Sequence, residues 1–145
     1  MLIGVPKEIK NHEYRVGMTP TSAREAVRHG HKVWVQANAG GGIGASDADY
    51  AQAGATIIAT ADEIFAKADI DELFGTADMI VKVKEPQAVE RKMLRDGQIL
   101  YTYLHLAPDP EQTKDLVKSG AVCIAYETVT SSRGGLPLLA PMSQV

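Results

Sequence analysis

Apolar positions in this chain fall into short runs, each followed by a polar stretch with helical spacing. Leu2-Ile3-Gly4-Val5 is the first run, and Pro6 ends it because proline has no N–H to give to a ladder. Thr19-Pro20 has the form of an N-cap followed by proline at the first helical position, and Gly30 suits the end of that helix. Residues 32–36 predict a second strand, Ser46 opens a short helix that Gly54 ends, and residues 55–59 are strand-like. Residues 61–78 are helix-rich. Met79-Ile80-Val81-Lys82-Val83 predicts a strand, 88–94 a helix, 98–104 a strand, 110–118 a helix closed by Gly120, and 122–126 a last strand. Strands alternate with helices, and the later strands are continuous apolar runs, as in a parallel sheet covered on both faces. The expected fold is α/β: a flavodoxin-like, doubly wound, three-layer domain with a mainly parallel sheet over residues 1–145.

Two features of this pattern bear on chemistry. Gly40-Gly41-Gly42-Ile43-Gly44-Ala45 follows a strand and satisfies the dinucleotide fingerprint G-x-G-x-x-A. In a working fingerprint the helix opens within the glycines and faces the pyrophosphate. Here the best cap, Ser46, comes after the whole motif, and the helix it opens is about two turns long. A flexible connecting loop is the better reading. The second feature is the pair Lys82 and Lys84, two residues apart and therefore on one side of an extended chain. Lys82 lies deeper and is expected to pair with a carboxylate or reach a rim.

In a parallel sheet the ends of several strands meet at one edge, where ligands bind at a switch point. Arg15 lies in the loop leaving the first strand, Lys84 ends the fourth, and His105 ends the fifth. An arginine grips a carboxylate with two hydrogen bonds, a lysine polarises a carbonyl, and a histidine moves protons near neutral pH. Together the three suit a 2-oxo or 2-amino acid. His12, His29 and His31 stand in polar loops or helix ends and receive no role. No grouping has metal-ligand spacing, so no metal site is expected.

Composition narrows the class. The chain has 145 residues, 45% hydrophobic and 23% charged, with a net charge of -3. That balance gives no reason to expect nucleic acid or an anionic membrane surface as partner. No apolar run approaches the roughly 20 residues of a membrane span. Cys123, the single cysteine, lies in an apolar run and reads as a buried structural thiol, which favours a reducing, cytoplasmic setting.

The stretches IGVPKEIKNHEYRVGMTP, VKVKEP, GQILYTYLHLAPDP and IAYETV, with the closing LPLLAPMSQV, closely resemble the N-terminal part of the bacterial alanine dehydrogenase family. The resemblance runs through the whole chain in order. It implies an enzyme converting L-alanine, water and NAD to pyruvate, ammonia and NADH. It further implies that Arg15 and Lys84 bind substrate, that His105 is the catalytic acid/base, that Ser143 touches the cofactor, and that Met142 borders the active site. A homo-oligomer is the implied assembly. The transhydrogenase relatives resemble the IGVPKE and RV elements but lack the TYLHLA histidine, since hydride passing between two nicotinamides needs no acid/base. A non-catalytic, flavodoxin-like interaction module of the receiver kind would need an Asp ending the middle strand, where Lys84 stands.

Three departures accompany the resemblance. The family continues beyond the equivalent of Val145 into a Rossmann domain that holds NAD, so the chain alone is expected to be inactive. Gln144 stands where the family usually has Glu. Residues 62–79 are doubled, DEIFAKADI being followed by DELFGTADM. The copies are offset by nine residues, about half a turn beyond two turns of helix, so one continuous helix would face its two apolar stripes in opposite directions. The second copy, joined directly to the Met79 strand, is expected to fill the native slot.

Overall fold

The computed structural model describes residues 1–60 and 77–143, with side chains to Pro141. Residues 61–76, which hold the first repeat copy and most of the second, lie outside the described residues. Six strands, β1 (Leu2–Val5), β2 (Lys32–Gln36), β3 (Thr56–Ile58), β4 (Met79–Val81), β5 (Ile99–Thr102) and β6 (Val122–Ala125), form one parallel sheet. Their order is β3-β2-β1-β4-β5-β6. Leaving out the edge strand β3, this is the flavodoxin order, and the doubly wound α/β architecture expected from the alternation is present. The chain winds outward in one direction from β1 and in the other from β4, so the switch point lies between these neighbours.

The period-2 pattern divides the core between the two sheet faces. Ile3, Val5, Val33 and Val35 pack with Ala23 of helix α1 (Pro20–Arg28) and Tyr50 of helix α2 (Asp47–Gln52). Leu2, Trp34, Ile80 and Leu100 take the other face, with Leu94 and with Leu116 of helix α4 (Pro110–Ser119). The Thr19 cap and the Gly120 stop are as the sequence predicts, and Asp109 adds a further cap before Pro110. Thr19 accepts the Ser22 amide at 3.2 Å, Asp109 accepts that of Gln112 at 3.0 Å, and Gly120 turns left-handed at φ 73°.

Several elements differ from expectation: β4 ends at Val81 rather than Val83, and β5 at Thr102 rather than 104, which leaves His105 beyond its strand. Helix α3 spans Ala88–Arg91, shorter than 88–94, and is opened by Glu90, whose Oε1 accepts the Gln87 amide at 2.9 Å. Arg91 then turns to the Pro86 carbonyl and the Asp115 carboxylate, at 3.0 and 2.8 Å. Residues 40–44 are a packed turn rather than a flexible loop. Gly41–Ile43 make a single 3-10 turn, and a Cβ on Gly42 would stand 2.1 Å from the Tyr14 carbonyl oxygen. At Cys123 burial is only partial, although it raises the thiol pKa. The last short helix, α5 (Ala140–Ser143), reaches the end of the described chain.

Candidate functional site

The loop from Pro6 to Thr19 leaves β1 at the switch point and supplies Glu8, Glu13 and Arg15. Glu8 is 6% exposed and faces the end of β4. Its Oε2 accepts from Lys82 Nζ at 2.9 Å and the Val83 amide at 3.2 Å, and Oε1 accepts the Lys84 amide at 3.0 Å. Lys82 Nζ lies 3.1 Å from a second carboxylate, Glu90 Oε2. Burial raises the Glu90 pKa, an effect Lys82 partly opposes. Lys82 therefore has a structural partnership with carboxylates, one of the two outcomes expected of it.

Lys84 lies beyond the strand, which ends at Val81. Its amide is held by Glu8, its carbonyl accepts from Thr102 Oγ1 at 2.8 Å, and its Nζ stands 5.3 Å from the centre of the Tyr103 ring. The neighbouring Val83 carbonyl accepts from the Tyr126 hydroxyl at 2.6 Å. Burial pushes the Tyr126 pKa up to about 12.

His105 is exposed and has a left-handed backbone, φ 47°. That conformation is uncommon for a residue with a side chain and is held from below. Glu127, in the 3-10 turn after β6, receives the Leu104 amide at 3.1 Å and the His105 amide at 3.2 Å on its Oε1. The buried Gln112 donates to the Leu104 carbonyl at 3.0 Å.

Arg15 is exposed, and Glu13 takes one side of its guanidinium. Arg15 Nε donates to Oε2 at 3.0 Å and Nη2 to Oε1 at 2.7 Å, which holds the Glu13 pKa below the ordinary glutamate value. Only the side fork is used this way. The end fork, formed by Nη1 and the second Nη2 hydrogen, still has the planar geometry that matches a carboxylate.

The three predicted residues are thus not equally close. Lys84 and His105 share the Tyr103 ring. Arg15 approaches them through Glu13, which feels the Lys84 charge, and through Tyr126, which feels the Arg15 charge. Arg15 lines clefts of about 380 and 490 Å³, and neither cleft includes Lys84 or His105. Ser143 closes α5, and its side chain, with Met142 and Gln144, lies outside the described residues. Sequence reasoning missed Glu8, Glu13, Tyr103, Tyr126 and Glu127. Tyr103 had a signal, since it alternates with His105 along TYLH, and so had Glu13, two residues before Arg15; Glu8 and Glu127 had none, because their partners are mainly distant backbone amides.

The glycine turn does not have the form of a dinucleotide cradle. Gly42 is closed against the Tyr14 carbonyl, and α2 has Asp47 and Asp49 in its first turn, where a pyrophosphate would meet like charge. Among the described residues no cluster of three His, Cys, Asp or Glu could hold a metal, and no helix is long and apolar enough to cross a membrane.

Comparison with known proteins follows this geometry. The chain is 58% identical over its whole length to alanine dehydrogenase of Halomonas elongata and 49% identical to that of Mycobacterium tuberculosis, covering 37% of each. A solved L-alanine dehydrogenase structure superposes with a TM-score of 0.89 at 46% identity, over 99% of this chain and 37% of that one. A transhydrogenase from Sinorhizobium meliloti superposes at 0.75 with 27% identity, over 88% of this chain and 34% of its own. The chain therefore spans little more than a third of the length of the relatives it matches. The family model for the N-terminal domain of alanine dehydrogenase/PNT matches residues 4–145, and the chain belongs to that family.

Proposed function

We propose that this chain is the substrate-binding part of an NAD-dependent L-alanine dehydrogenase, which converts L-alanine, NAD and water to pyruvate, ammonia and NADH. The observation that supports it best is the meeting of Lys84 and His105 on one tyrosine at the switch-point edge, with the end fork of Arg15 left unused by Glu13 on the loop that leaves β1. The identity to alanine dehydrogenases is well above that to the transhydrogenase, which favours a reaction needing an acid/base. Arg15 binds the substrate carboxylate end-on and Lys84 binds the carbonyl oxygen of pyruvate. His105 gives or takes a proton as the carbon changes between amine and ketone. NAD is the hydride acceptor, and Ser143 is proposed to touch it. With the glycine turn closed against Tyr14, the isolated chain is proposed to bind substrate without turning it over. A cytoplasmic homo-oligomer belongs to the same proposal.

Turnover tests the acid/base assignment when residues 1–145 are fused to the remaining length of the Halomonas elongata relative. His105→Ala should lower kcat by about 10²–10⁴-fold, the usual contribution of a positioned acid/base. Near-normal turnover would remove His105 from that role.

A further inference from the structure

We propose that Tyr103 is the positioning residue of His105, its hydroxyl selecting the imidazole tautomer that carries its proton on Nε2. The enzyme reading above supplies only the catalytic consequence of this proposal. Tyr103 and His105 are two residues apart, and their rings stack with centroids 5.5 Å apart and planes 15° from parallel. The Tyr103 hydroxyl lies 3.0 Å from Nδ1. The left-handed backbone at His105, held by Glu127, is the conformation in which this stack occurs. The tyrosine ring also carries the Lys84 ammonium, 5.3 Å from its centroid, a cation–π contact. Tyr126 tilts against it at 6.1 Å. One aromatic plate thus fixes the ring of the proposed acid/base and the ammonium of the proposed substrate ligand.

A phenol hydroxyl can donate or accept, whereas a carboxylate can only accept. Toward the neutral imidazole the hydroxyl donates to the lone pair of Nδ1, which leaves the proton on Nε2. When the ring takes up a second proton, Nδ1 becomes a donor, and the hydroxyl accepts after rotating about its C–O bond. The second proton therefore enters and leaves at Nδ1, beside the Tyr103 hydroxyl, while Nε2 stays protonated. A carboxylate in the same place would hold Nδ1–H instead. The charged and titratable groups facing the pair are Lys84 on the tyrosine ring, Tyr126 at its edge, and Glu127, whose oxygens meet the Leu104 and His105 amides.

Long-range ¹H–¹⁵N spectra of the histidine rings in the 145-residue chain test this, with His105 assigned by loss of its signal in His105→Asn. At alkaline pH, with the ring neutral, His105 should show the Nε2–H tautomer. Tyr103→Phe should weaken that preference roughly two- to tenfold, the worth of one neutral hydrogen bond, giving a mixture. An Nδ1–H tautomer in the unsubstituted chain, or an unchanged preference in Tyr103→Phe, would overturn the proposal. If Tyr103→Phe does not fold, the Nε2–H share of His105 is compared with that of a free histidine peptide, and an equal share would overturn the proposal. Failure of the enzyme reading is a separate signal in the same sample, the absence of pyruvate-induced shifts at Arg15 and Lys84.

Discussion

Lys82 lies 3% exposed between Glu8 and Glu90, with both carboxylates within ion-pair distance. Removing the ammonium would leave two buried carboxylates with no cation between them and would free the anchor that holds the Val83 and Lys84 amides. Breaking a buried pair from one side costs about 3–5 kcal/mol, so Lys82→Met should lose stability of that order in a denaturant melt. A loss below about 1 kcal/mol would mean that the pair is solvated like a surface bridge. Tyr126 gives a pH prediction at the same scale. Its pKa rises from 10 to about 12 on folding, because burial disfavours the phenolate. The folded chain therefore keeps this proton more tightly than the unfolded chain. The resulting stability is complete below pH 10 and is lost as pH rises toward about 12. Melts across that range should decline less steeply in Tyr126→Phe than in the unsubstituted chain. Parallel declines would show that Tyr126 titrates as it does unfolded.

At the scale of elements, the strands and the capped helices could be read from the chain because their signals are local. Thr19, Ser46 and Asp109 each cap a helix where a cap was expected or where Pro110 implied a start. The limits of β4 and α3 were less legible. Apolar alternation suggested that β4 continued through Val83, yet the strand ends at Val81 and the Val83 and Lys84 amides go to a glutamate 75 and 76 residues earlier in the chain. Nothing near Lys84 in sequence carries that information. The packing role of the glycine turn was invisible because it depends on a distant carbonyl. Gly42 lets the turn touch the loop that bears Arg15, while a Cβ on the adjacent Gly41 would meet nothing within 4 Å. Gly42→Ala should cost about 1–3 kcal/mol by overpacking and weaken pyruvate binding as the Arg15 loop shifts. Gly41→Ala is the control and should leave both unchanged. Equal effects on the melt and on binding would show that the turn does not support the loop.

Over the whole molecule, the winding of the chain carries separate weak signals to one edge of the sheet. Arg15, Lys84 and His105 are scattered through the sequence, and alternation of strands with helices was enough to bring them to one sheet edge. It did not settle how they are held there, because Glu8 and Glu127 act through contacts that only the folded chain makes. The cofactor part of the reading has no counterpart among the described residues, and the chain spans 37% of the relatives it resembles. Substrate recognition is therefore the claim that this chain can carry by itself. The most direct test is a titration of the ¹⁵N-labelled 145-residue chain with pyruvate, observed at its arginine, lysine and histidine side chains. Saturable shifts are expected at Arg15, Lys84 and His105, with affinity falling at least about tenfold in Arg15→Lys, which keeps the charge but loses the fork. Saturable binding that leaves these three signals in place, or an affinity unchanged by Arg15→Lys, would contradict that expectation.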